Sequence, residues 1–178
     1  MPNAADIRLI ISDIDGVWTD GKIMYSGERS ETKAFNVRDG LGAKLAQRAG
    51  ITIALLTSRR SQALERRARE LGIVEVHQGA ANKLEATERL AQRLDVSFEQ
   101  ILYAGDDLPD LAPMTRAAIS AAPSDAAPEV LGIATWKLQS PGGSGAFREI
   151  VERLLRERGE WEILIREFAS GRPEASSI

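Results

Sequence analysis

Two short acidic clusters dominate the chemistry available to this chain. One is Asp13-Ile14-Asp15-Gly16-Val17-Trp18-Thr19, the other Gly105-Asp106-Asp107-Leu108-Pro109-Asp110. Each follows a compact apolar run. Thr57-Ser58-Arg59 follows a third such run, and Lys83 heads an amphipathic stretch between the second run and the last. A lone Asp after a strand is ordinarily a turn or helix cap. Paired acids at two strand ends are harder to explain by capping, because clustered carboxylates repel unless a cation offsets them. The donors are all oxygen, which points to a hard divalent ion, Mg²⁺. A carboxylate can attack phosphorus covalently, and a second acid two residues on faces a different direction and can reach the leaving group. Mg²⁺, a lysine and a threonine hydroxyl would hold the charge of the transferring phosphoryl group. Those parts describe a phosphatase or phosphotransferase working through an aspartyl-phosphate.

The elements that must position these groups follow from the pattern. Ile7–Ser12, Ile51–Leu56 and Ile101–Ala104 read as strands, with weaker ones at Val74–His77, Ala117–Ala121 and Ile133–Trp136. Helical spacing covers Leu41–Ala49, Ser61–Leu71 (stopped by Gly72), Lys83–Leu94 and Ser144–Arg158. Apolar strands alternating with helices predict an α/β fold, a Rossmann-like parallel sheet with helices on both faces. In such sheets sites form where the strands end, which would bring the acidic clusters to one rim. Residues 17–36 break the alternation with hairpin chemistry (Asp20-Gly21, Ser26-Gly27-Glu28), a β-hairpin inserted after the first strand and too short to be a second domain. We expect one domain over residues 1–170 and a small, polar, flexible tail over 171–178.

Composition narrows the classes further. The chain has 178 residues, 43% hydrophobic and 28% charged, enough apolar material for a core. Its 23 basic and 26 acidic residues give a net charge of −3, which argues against nucleic acid or a membrane surface as partner. There is no cysteine and one histidine, so thiol chemistry and a histidine-rich zinc site are excluded. No apolar stretch reaches membrane-spanning length and no signal peptide is evident, so a cytoplasmic location is expected.

Asp13-x-Asp15-Gly16-Val17-x-Thr19, then Thr57, Lys83 and Gly105-Asp106-Asp107-x-x-Asp110, in that order, resembles the motif series of the haloacid dehalogenase superfamily of phosphatases. The short chain is similar to its capless branch. Phe35-Asn36-Val37-Arg38-Asp39-Gly40-Leu41-Gly42, Gln78-Gly79, Asn82-Lys83 and Gly142-Gly143-Ser144-Gly145-Ala146-Phe147-Arg148-Glu149 resemble the 3-deoxy-D-manno-octulosonate (KDO) 8-phosphate phosphatases, a family of lipopolysaccharide synthesis. The resemblance implies Asp13 as nucleophile, Asp15 as acid and then base, and Thr57 and Lys83 as phosphoryl ligands. It also implies Mg²⁺ on the Asp13 and Asp106 side chains and the Asp15 carbonyl, with Asp107 and Asp110 orienting them. It further implies a homotetramer in which hairpins join and neighbours close each other's sites. Three positions depart from the family's usual pattern: Trp18, Phe147 and Ser58, of which Trp18 and Ser58 are expected to reshape the sugar pocket.

A sugar-acid substrate carries a carboxylate, which a guanidinium grips bidentately. Arg59, and Arg67 two helical turns on, suit that task, although Arg60, Arg66 and Arg69 beside them also fit a solvated charged face. Arg38 and Ser58 are further candidate substrate contacts. Phosphatases of nine-carbon sugar-acid 9-phosphates resemble the chain almost as well, and a non-enzymatic phospho-receiver also uses an acidic pocket with Thr and Lys. The Gly142–Gly145 run reads equally as an anion cradle at a helix N-terminus or as a simple turn.

Overall fold

The computed structural model describes residues 4–26 and 31–171. Six strands form one parallel sheet: β1 (Leu9–Ser12), β4 (Thr52–Thr57), β5 (Glu75–Gln78), β6 (Ile101–Ala104), β7 (Ile119–Ala122) and β8 (Trp136–Lys137), in the order β5-β4-β1-β6-β7-β8. β2 (Met24–Tyr25) and β3 (Glu31–Thr32) make the antiparallel hairpin after the first strand. The expected fold class is therefore what the chain adopts. Residues 27–30 of the expected excursion and 172–178 of the expected tail lie outside the described residues.

The central strands are buried along their whole length, so alternate side chains feed two cores. On one face Ile10, Ile53, Leu55 and Leu102 pack beneath α1 (Val37–Arg48), α2 (Gln62–Leu71), α6 (Ala146–Glu157) and α7 (Trp161–Ala169). On the other, Leu9, Ile11, Leu56 and Ile101 pack beneath α3 (Lys83–Leu94), α4 (Leu111–Arg116) and α5 (Pro128–Ile133).

Several boundaries differ from the sequence expectation, each for a local reason. α1 begins four residues before the predicted Leu41, because the Asn36 side chain accepts the Arg38 N–H (2.9 Å) and caps it. Gly40 and Gly42 had hidden that turn from a propensity reading. Ile133 ends α5 instead of opening a strand, and the last strand starts at Trp136. α4, α5 and α7 were not anticipated. The first two are six residues each and contain or begin with proline, too short for a periodic signal.

Trp18 corrects another expectation. It does not reach a sugar pocket. It is buried, stacks on Phe147 at 4.2 Å between ring centroids, and donates its indole N–H to Ser12 Oγ (3.1 Å). The two large departures from the family pattern are thus one packing event, each ring filling space beside the other.

Candidate functional site

Sheet register brings the acids together. β1 lies between β4 and β6 with Ser12 level with Leu55 and Ala104, and the Asp13 N–H continues the ladder to the Ala104 carbonyl (2.9 Å). The first carboxylate after β1 is thereby pinned beside the turn that carries Asp106. The Ile14 carbonyl then accepts the N–H groups of Val17, Trp18 and Thr19, which folds the chain sharply back. Gly16 sits at φ +101°, where a Cβ would collide with the Asp106 carboxylate, so only glycine lets these two loops meet.

Lys83 arrives from the opposite direction, on the first turn of α3, whose N-cap Asn82 accepts the Glu85 N–H (3.1 Å). Its ammonium lies 2.9 Å from Asp13 Oδ1 and 2.8 Å from Asp110 Oδ1, buried between them. Burial works against that charge, and the two carboxylates more than offset it, so Lys83 is held above its usual range. Asp110 is saturated: Tyr103 Oη also donates to Oδ1 (2.9 Å), and the Asp106 N–H donates to Oδ2 (3.3 Å). Asp107 caps the turn by accepting the Leu108 N–H (2.8 Å).

Nine of the eleven sequence-derived candidates line one cavity of about 270 Å³: Asp13, Asp15, Thr57, Ser58, Arg59, Lys83, Asp106, Asp107 and Asp110. Arg67 and Arg38 do not line it. The Arg67 guanidinium lies over Gly40 of α1 and pairs with Glu70 (3.3 Å), and Arg38 is exposed on the first turn of α1. A larger cleft, about 540 Å³, runs between β5 and α3, but Arg89 and Arg93 beside it are already paired with Glu85 and Glu75.

The cavity floor is short of positive charge. One carboxylate oxygen from each of Asp13, Asp106 and Asp110 lies within 4.8 Å of the other two, and among the described residues Lys83 is the one cation that pairs with them. Burial, then repulsion from Asp110 and despite Lys83, pushes Asp13 up to about 6. Burial, then Asp13 and Asp110, pushes Asp106 up to about 8. Asp106 Oδ1 and Asp15 Oδ2 are buried without a hydrogen-bond partner. A small hard divalent ion fits this donor set. Asp13 and Asp106 have oxygens to give it, whereas Asp110 is committed to Lys83, Tyr103 and the backbone.

Sequence reasoning missed four residues. Glu31, in β3, and Lys33, just past its end, turn toward the rim. Lys33 pairs with Asp15 and lies 3.0 Å from Glu31, and Glu31 pairs with Arg59. Tyr103 was hidden inside an apolar run. Asp39, buried in α1, accepts the Arg148 N–H (2.8 Å) at the start of α6. Asp39 thus occupies the helix N-terminus that an anion would have used. The Gly142–Gly145 run is a buttress: Gly143 donates to the Val17 carbonyl (3.0 Å), and Gly142 approaches the Gly16 carbonyl too closely for any side chain.

Residues 61–150 match the haloacid dehalogenase-like hydrolase family. The 3-deoxy-D-manno-octulosonate 8-phosphate phosphatase of Salmonella typhi is 41% identical over 160 residues, 90% of this chain and 85% of that protein. The crystal structure of the Moraxella catarrhalis phosphatase of the same name, in complex with magnesium, phosphate and KDO, superposes with a TM-score of 0.91. It is 36% identical and covers 93% of this chain and 95% of that one. A cobalt-bound form of the Haemophilus influenzae enzyme gives 0.90 at 36% identity, over 94% and 99% of the two chains. With its ordered acids and its lysine in place, the chain belongs to the haloacid dehalogenase-like hydrolases, and within them to the 3-deoxy-D-manno-octulosonate 8-phosphate phosphatase family.

Proposed function

We propose that this protein is a Mg²⁺-dependent phosphatase that releases phosphate from KDO 8-phosphate in lipopolysaccharide biosynthesis, with residues 1–170 as its catalytic domain. The observation that carries the reading is the convergence of Asp13 and Asp106 from adjacent strands on a floor where Lys83 is the one cation among the described residues. Asp13 attacks phosphorus as the bond to the sugar oxygen breaks, and Asp15 gives that oxygen its proton. A water molecule then attacks the aspartyl-phosphate, Asp15 takes its proton, and Asp13 is returned as a carboxylate with release of phosphate. Lys83 and the Thr57 hydroxyl hold the phosphoryl oxygens, and Asp107 and Asp110 fix the turn and the lysine. Mg²⁺, held by Asp13, Asp106 and the Asp15 carbonyl, would supply positive charge to the acids and to the phosphoryl group. Arg59 and Ser58, on the cavity wall, meet the sugar acid. Arg67 and Arg38, outside the cavity of their own subunit, would reach substrate only across a subunit boundary.

The hairpin supports assembly into a homotetramer, since Met24 (64% exposed) and Tyr25 (74%) would be a liability on a monomer. Sedimentation at assay concentration checks it. No described helix is long and apolar enough to cross a membrane, which is compatible with a cytoplasmic enzyme. The deciding experiment is phosphate release, with Mg²⁺, from eight- and nine-carbon sugar-acid phosphates compared by kcat/KM. The eight-carbon substrate should lead by about tenfold or more, an increment of the size one binding contact supplies. Preference for nine carbons would overturn the substrate, and phosphoryl uptake without turnover would overturn the enzyme.

A further inference from the structure

The cavity wall holds four charges in alternating order. Lys33 Nζ pairs with Asp15 Oδ1 and lies 3.0 Å from Glu31 Oε1, while Glu31 Oε2 pairs with Arg59 Nη2. The Lys33 side chain is only 3% exposed. A buried ammonium is costly unless it is paired, so this is no incidental surface contact. Phosphoryl binding does not require it, because Lys83 already occupies the floor beside Asp13. What Lys33 does is divide the two oxygens of Asp15: Oδ1 is anchored, while Oδ2 is buried and unpartnered.

We infer that Lys33 is a positioning residue for proton transfer: by gripping Oδ1 it leaves Oδ2 of Asp15 as the atom that serves the ester oxygen. Glu31, with one oxygen toward Lys33 and the other on Arg59, ties that aim to the side chain that meets the sugar. This rests on Asp15 being the acid proposed above. As the Asp13–phosphorus bond forms and the ester bond breaks, the proton on Asp15 Oδ2 passes to the departing oxygen, giving a neutral alcohol and the Asp15 carboxylate.

Leaving-group dependence tests the idea. p-Nitrophenolate departs without a proton, phenolate benefits from one, and a sugar alkoxide needs one. Phenyl and p-nitrophenyl phosphate have nearly the same shape and no sugar contacts. In kcat/KM, Lys33→Met should cost phenyl phosphate about 30-fold more than p-nitrophenyl phosphate, within the range general acid catalysis supplies, and the sugar-acid phosphate at least as much. Lys33→Arg should recover part of the loss. Glu31→Gln should show the same pattern more weakly, and it serves as the test if Lys33→Met melts early. Equal losses on all substrates, or loss on the sugar alone, would overturn the inference. Asp15→Asn separates the two readings. If it steepens the aryl dependence and Lys33→Met does not, the Lys33 role alone fails. If Asp15→Asn leaves the dependence flat, the acid assignment itself fails.

Discussion

On the cavity floor, Asp13 and Asp106 extend from strands buried on both faces, and Lys83 and Asp110 are locked to each other. On the wall, Glu31 and Lys33 hang from a hairpin of two two-residue strands whose neighbours Ile23, Met24 and Tyr25 are exposed. The floor takes its geometry from the sheet ladder, which holds the backbone regardless of charge. The wall takes its geometry from ion pairs reaching back to Asp15 and Arg59. The floor is also electrostatically frustrated, with two carboxylates pushed above their ordinary range, whereas the wall alternates in sign and is nearly neutral. Chemistry common to phosphate esters suits a rigid, frustrated floor, and leaving-group recognition suits a wall that can differ between relatives.

The largest expected effect is on the floor. Asp13→Asn should lower kcat by on the order of 10⁴-fold or more while the fold is kept. It should also raise the melting temperature without Mg²⁺, since it removes a repelled charge; an unchanged or lower value would mean that the floor is not frustrated. Next comes the support beneath it. Phe147→Ala should cost about 3 kcal/mol in denaturant unfolding, and a double-mutant cycle with Trp18→Leu should show coupling of about 1 kcal/mol. Additive losses would separate the two rings. On the wall, Arg59→Ala should raise KM for the sugar-acid phosphate about 30-fold and that for p-nitrophenyl phosphate less than about 3-fold. Equal changes would erase the distinction between wall and floor.

A separate effect is on stability against pH. Asp13 (about 6) and Asp106 (about 8) bind protons more tightly folded than unfolded, where a carboxyl titrates near 3.8. Their contribution is therefore full below that value and is lost as pH rises through 6 and 8. Without a divalent ion the melting temperature should fall by several degrees between pH 5 and pH 8 from these groups, and Mg²⁺ should stabilise more at pH 8 than at pH 5. A Mg²⁺ effect independent of pH would place the ion away from these acids.

Much of the floor was legible because it is built on repeating elements. Parallel strands end on one rim, so acids placed just after Ser12 and Ala104 had to meet, and the short strand β6 was bounded correctly. Lys83 could be placed because a clean helical spacing begins at that residue, and the structure adds the Asn82 cap just before it. Arg67 was harder. Spacing along α2 gives it the same face as residues near the cavity, but the packing of α2 against α1 lays it over Gly40.

By itself the sequence determined the alternation of strands and helices, the position of each acid at a strand end and the absence of thiolate metal ligands. These are local properties, set by side-chain type and by periods of two and 3.6 residues. Tertiary structure decided which distant groups became partners: Lys33 with Asp15, Glu31 with Arg59, Trp18 with Phe147, and Asp39 with the start of α6. Those pairings depend on how elements pack, because the direction in which a hairpin leaves a sheet and the face a helix lays down are fixed by the whole core and not by the neighbours of any one residue.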